Sequence, residues 1–165
     1  CPVFADHQDS YKTLEKIDSK ADKLEFGVLI NQIIDALLTK LADTNTNLQS
    51  KAAEALVKSS FYALVGPVIQ IERILSKRDI KGNITKESKS HKHLAGRLQL
   101  LASLINQHKL GQNDINIQRV TAYAIENLSM NNALVRQNAY LVLLRLYETI
   151  GIQLLTFLAL HGQTK

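Results

Sequence analysis

Tryptophan is absent from this 165-residue chain, cysteine occurs once, and there are two prolines and seven glycines. The lone thiol, Cys1, has no internal disulfide partner and cannot supply a thiolate set for zinc. So few Gly and Pro exclude a loop-rich all-β fold, and 45% hydrophobic residues exclude a disordered chain. What remains is helices joined by short turns. Residues 1–27 lack the apolar run of a signal peptide and the chain opens on Cys rather than Met, so a fragment is expected. The most apolar segment, 150–160, is interrupted by Gly151, Gln153 and Thr156. It is shorter than the roughly 18 residues of a bilayer span. A soluble protein without membrane contact is expected. Charge is not balanced: 20 Lys and Arg face 15 Asp and Glu, a formal +5, which suits nucleic acid, anionic lipid or an acidic protein surface.

What the chain does contain is helical periodicity. Tyr11, Leu14, Ile17, Ala21 and Leu24 define an amphipathic helix that should end near Gly27. Val28, Ile30, Ile33, Ile34, Leu37, Leu38 and Leu41 then predict a more buried helix, and residues 43–47, Asp-Thr-Asn-Thr-Asn, a capping turn. From Leu48 through Ala52, Ala53, Leu56 and Val57 the next helix runs to about Val65, where Gly66-Pro67 stops it and starts a short one to Leu75. Residues 76–90 lack apolar period and residues 77–92 carry six Lys or Arg, at 77, 78, 81, 86, 89 and 92, so this stretch reads as a basic loop. Helical spacing returns with Leu94, Leu98, Leu101, Ala102 and Ile105. It continues, after a cap at Asn113 or Asp114, with Ile117, Val120, Ala124 and Leu128. A turn at 130–132 leads to Val135, Ala139, Val142, Leu143, Leu146 and Ile150, and Gly151 separates a last apolar helix ending near Leu160. No segment alternates with period two, so no strand is expected.

An internal repeat orders these helices. A shift of 87 residues lays Leu41 on Leu128, Asn45 on Asn132, Leu48 on Val135, Ala52 on Ala139 and Leu56 on Leu143. Each copy is an apolar helix, a short Asn-containing turn and a second helix with a small Ala one turn in, where close helix packing needs it. A third copy, residues 67–108, is legible as a helix pair interrupted by the basic loop. Neither helix of such a pair buries its apolar face alone, so an all-α solenoid of stacked pairs is expected, about three to four repeats long. The organisation is then an N-terminal helix and flank (1–27), an array (28–160) and a short tail (161–165).

Residues 41–48 with Ala52 and Leu56 resemble the intra-repeat turn of HEAT repeats, and Val135-Arg136 followed by Ala139 resembles it more closely. The succession Val65-Gly66-Pro67, then residues 96–101 (Gly-Arg-Leu-Gln-Leu-Leu), Val135-Arg136 and Leu146-Tyr147 ending at Gly151 is similar to TOG domains, the tubulin-binding HEAT arrays. Within them it looks nearest to the array of the ciliary-tip centrosomal proteins. The resemblance covers about residues 28–160. It implies a non-enzymatic, cofactor-free, monomeric module whose row of turns contacts α/β-tubulin, in the cytoplasm and on the cytoskeleton, at a centriole or cilium. Carried over turn by turn, the contacts would come from Thr44, Asn45 and Asn47; from Lys77, Arg78, Lys89 and Lys92; and from Asn131 and Asn132. In HEAT turns an Arg at the position of Arg136 often pairs with an Asp. Met130 stands at that place here, which would leave Arg136 free to point outward as a further contact.

Each candidate also has a structural reading. Asn45 and Asn132 serve a helix cap as readily as a ligand, and a charge run is ordinarily a solvated loop. His91 and His93 lack the further donors a zinc site requires. No Gly-x-Ser-x-Gly elbow, Gly-rich phosphate loop or paired carboxylates occur, so no enzymatic chemistry is expected. The basic loop has no aromatic residue to stack a base, which argues against nucleic acid. Tyr123, Tyr140 and Tyr147 are expected in the core with their hydroxyls at its rim. The alternative to a tubulin-binding edge is a HEAT scaffold that takes a helix or peptide of another protein into a groove between repeats.

Overall fold

A computed structural model of the chain describes residues 20–76, 90–111 and 113–162; among them the structure is all-α, with no strand. The helices are α1 (Lys20–Lys40), α2 (Thr46–Ser59), α3 (Gly66–Leu75), α4 (His91–His108), α5 (Ile117–Leu128), α6 (Ala133–Ile150) and α7 (Leu154–Gly162), with a 3-10 turn at Gly151–Gln153 before α7. The helical pattern of residues 11–19 lies outside the described residues.

Three boundaries differ from the sequence expectation, each for a local reason. Gly27 does not end a helix: α1 runs straight through it. A helical Gly costs only about 1 kcal/mol relative to Ala, which the anchoring of Ile30, Ile34 and Leu38 in the core offsets. Nor is this helix buried all round, since Val28 and Ile33 are 48% and 51% exposed. α2 stops at Ser59, short of Val65, because the Ser59 and Ser60 hydroxyls bond back to the carbonyls of Leu56 (2.9 Å) and Val57 (2.6 Å). Such bonds compete with helix continuation. α5 is capped by Asn116, whose side chain accepts from the Arg119 N–H at 3.0 Å, and not by Asn113 or Asp114; Asp114 instead accepts from the Gly111 N–H at 2.8 Å.

The substantial helix contacts follow a simple rule. Chain neighbours α1–α2, α3–α4, α5–α6 and α6–α7 pack, and so do alternate helices: α1–α3, α3–α5 and α5–α7 on one side, α2–α4 and α4–α6 on the other, with α1 also touching α4. The α4–α6 contact is the most extensive. On the first side, neighbouring residues of α3 reach in opposite directions. Arg73 forms a two-bonded ion pair with Asp35 of α1, and Glu72 accepts from Arg119 of α5 at 2.6 Å. The Asp35–Arg73 pair is half-buried and bidentate, so it fixes orientation as well as distance.

On the other side the fit depends on small residues. A Cβ built on Gly96 of α4 would stand 2.9 Å from the Leu41 Cβ and 3.1 Å from the Leu41 carbonyl oxygen, so α4 crosses the end of α1 where only hydrogen fits. Next to it, the Ala95 carbonyl accepts a buried bond of 3.0 Å from Asn138 Nδ2 of α6. Ala52 and Ala139, the paired small residues of the repeat, are both buried. The opposite ends of these helices are tied by His108 Nε2, which lies 2.7 Å from Ser60 Oγ, while the His108 ring packs on Phe61 with centroids 4.4 Å apart. Gln70, fully buried on α3, donates to the Leu56 carbonyl at 2.8 Å and so satisfies an end carbonyl of α2.

The tyrosine expectation is corrected at two of three places. Tyr123 is 7% exposed, but Tyr140 and Tyr147 are 64% and 54% exposed. The inner face of α6 is taken by Val135, Ala139, Val142 and Leu146, which leaves both tyrosines on the outer face. By length and composition alone, residues Ala133–Leu160 are long and apolar enough to cross a bilayer. Gly151, with φ of 61°, breaks that stretch into α6 and α7.

The Leu41–Gly96 crossing gives a direct test. Gly96→Ala is expected to lose about 1–3 kcal/mol through forced backbone displacement. Gly27→Ala, whose Cβ would meet nothing within 4 Å, is expected to gain about 0.5–1 kcal/mol. Urea unfolding of the two variants beside the parent measures both.

Candidate functional site

The turn that joins α1 to α2 is built by side chains bonding to nearby backbone. Gln49 Nε2 donates to the Leu41 carbonyl at 2.7 Å and closes the end of α1. Asp43 accepts the Asn45 N–H at 3.0 Å and the Lys40 ammonium at 3.2 Å. The backbone donor first, and Lys40 second, hold its carboxyl below the usual aspartate range. Asn45 caps α2, accepting from the Asn47 and Leu48 N–H groups at 3.0 and 3.3 Å. Thr44, Asn45 and Asn47 are all exposed there.

The turn between α5 and α6 repeats the device. Asn132 accepts from the Val135 N–H at 3.2 Å, the same relation as Asn45 to Leu48, and Asn131 beside it is exposed. Both asparagines are therefore caps, and a cap bond made through Oδ1 leaves the Nδ2 donors for other use. Arg136 is corrected. With no Asp at position 130, its guanidinium donates to the Met130 carbonyl at 2.9 Å, so it is fastened to its own turn although its side chain is exposed. A main-chain acceptor replaces the missing carboxylate.

Of the residues expected from the α3–α4 connection, Lys77, Arg78 and Lys89 lie outside the described residues. Lys92 is exposed in the first turn of α4. The α3 end is joined to α4 by Arg97, which donates to the Ser76 carbonyl at 3.2 Å.

Leu41 against Gly96 and Ala95 against Asn138 bring the end of α1, the start of α4 and the start of α6 together at one junction. Two hollows open beside it. One is a groove of about 490 Å³ between α2 and α4, lined by Leu41, Gln49, Ala53, Val57, Gly96 and Leu100 among others. Glu54 stands on its wall between Lys58 (2.7 Å) and Lys51 (3.0 Å), whose bonds bring its carboxyl down to about 2. The other is a slot of about 50 Å³ where α3, α4 and α5 converge, lined by Ser76, Arg97, Tyr123, Glu126 and Asn127 with apolar Ile74, Leu94 and Met130. Burial pushes the Tyr123 hydroxyl up to about 12.

Sequence reasoning did not single out Arg97, Tyr123 or Asn138 as site residues. Each sits on a helical stripe whose periodicity says core, and no spacing rule brings residue 97 to residue 123. Among the described residues no three of His, Cys, Asp and Glu gather as metal ligands. Comparison of the chain with protein families, with curated proteins and with solved structures found no match.

Two outcomes check this geometry. Asn132→Ala and Asn45→Ala should each lose about 1 kcal/mol in urea unfolding, while Asn131→Ala, which caps nothing, should stay near the parent value. For Tyr123 the folded value of about 12 lies above the ordinary 10.0, so the folded chain holds this proton more tightly. Its contribution is complete below pH of about 10 and lost as pH rises toward about 12. A stability titration over that range should fall less steeply for Tyr123→Phe than for the parent.

Proposed function

We propose that this chain is a non-catalytic α-solenoid of HEAT-like helix pairs, TOG-like in plan, that grips an acidic protein surface with its row of intra-pair turns. The partner implied by the resemblance is α/β-tubulin, which would place the module on the cytoskeleton, at a centriole or cilium. The observation that supports the reading is a shared junction: the Leu41–Gly96 crossing and the Asn138–Ala95 bond set the end of α1 and the start of α6 against the start of α4. The contacts between alternate helices support the solenoid plan, because a stacked array packs each helix on its counterpart in the next pair.

The proposed edge carries exposed amides and cations, namely Asn45, Asn47, Lys92, Asn131 and Arg136. Rim charges of this kind steer encounter with an anionic surface and set its salt dependence more than they set affinity. A second reading, a scaffold for a helix or peptide of another protein, is favoured by the groove between α2 and α4.

Gel filtration with free tubulin separates the two. At low ionic strength the chain should co-elute with tubulin, and added salt should release it. Lys92→Glu combined with Lys89→Glu should weaken the complex about fivefold or more. A chain that never co-elutes with tubulin would remove that partner, and binding indifferent to the lysine reversals would move the contact to the groove.

A further inference from the structure

The slot at the junction of α3, α4 and α5 contains donors with nothing to bond. Tyr123 is more than nine-tenths buried, lines the cavity, and its hydroxyl makes no hydrogen bond among the described residues. Arg97 lines the same cavity, and its Nε–H is likewise buried without a partner, although its other arm is spent on the Ser76 carbonyl. Native interiors rarely leave two such donors unpartnered in the lining of one cavity, because each loses its water without recompense. Asn127 Nδ2 donates to the Tyr123 carbonyl at 2.8 Å, so the backbone that carries the tyrosine is held in place.

We propose that this slot receives a carboxylate from the partner, an aspartate or glutamate side chain inserted beside the turn border. This rests on the acidic-partner reading above and names the anchor residues it lacked. A carboxylate accepts from Arg97 Nε–H and the Tyr123 hydroxyl at once, and both bonds are charge-assisted. Lysine or arginine is excluded by the Arg97 charge. The volume, about 50 Å³, admits a side-chain carboxyl group and nothing much larger. The slot is at the turn border: Ser76 ends α3, Leu94 lies in the first turn of α4 and Met130 belongs to the α5–α6 turn. Glu126 is exposed and also lines the slot.

The test uses the whole chain and a fluorescein-labelled decaglutamate peptide, followed by anisotropy at low ionic strength. The parent should bind. Tyr123→Phe, which removes one oxygen, should weaken binding roughly tenfold to a hundredfold, the range for a hydrogen bond to a charged group. Its urea midpoint should be unchanged or higher, since the lost hydroxyl had no partner in the free protein. Unchanged affinity in Tyr123→Phe, a lowered urea midpoint in that variant, or no peptide binding by the parent would each overturn the proposal. The partner reading is tested apart from it. Tubulin binding that survives Tyr123→Phe but fails in the lysine reversals keeps the edge and discards the slot. Peptide binding that depends on Tyr123, without tubulin binding, keeps the slot and discards tubulin.

Discussion

The start of α4 is where this structure is decided. Two small residues in sequence, Ala95 and Gly96, meet two different neighbours: Gly96 presses on Leu41 at the end of α1, and the Ala95 carbonyl takes the amide of Asn138 from α6. Interiors are packed to near-crystalline density, so a contact with no room for a methyl group sets the distance between the elements that make it. Through this one point the end of α1 and the start of α6 are both held against α4.

The other side of the molecule is held by charge. Asp35–Arg73 and Glu72–Arg119 link α1 to α3 and α3 to α5. The first is half-buried and bidentate; the second is exposed and adds little to stability. Close apolar contact on one side and ion pairs on the other let successive helix pairs be joined without either helix being apolar all round. This is why α1 and α6 keep exposed apolar residues such as Ile33, Tyr140 and Tyr147 on the faces that no neighbour covers.

In the proposed reading the turns would carry two tasks with the same residues. An asparagine that caps a helix through its oxygen still offers amide hydrogens outward, and Arg136, fastened to the Met130 carbonyl, keeps its positive charge at the surface. Under that proposal, a turn already fixed by its cap bonds would lose little conformational freedom on meeting a partner.

Local order was readable from residues alone. The helical class, the turns at 43–47 and 130–132, the break at Gly151 and the matched asparagines followed from periodicity and capping chemistry, which depend on neighbours a few residues away. Helix ends were less legible: Gly27 was passed over because the apolar anchors on its C-terminal side outweigh a modest propensity cost, and α2 ended early because serine hydroxyls claimed its last carbonyls. Which tyrosine is buried, what replaces an absent aspartate beside Arg136, and how Arg97 comes to share a cavity with Tyr123 were settled by folding. Those outcomes turn on which helix covers which face, a matter of long-range packing that no spacing along the chain encodes.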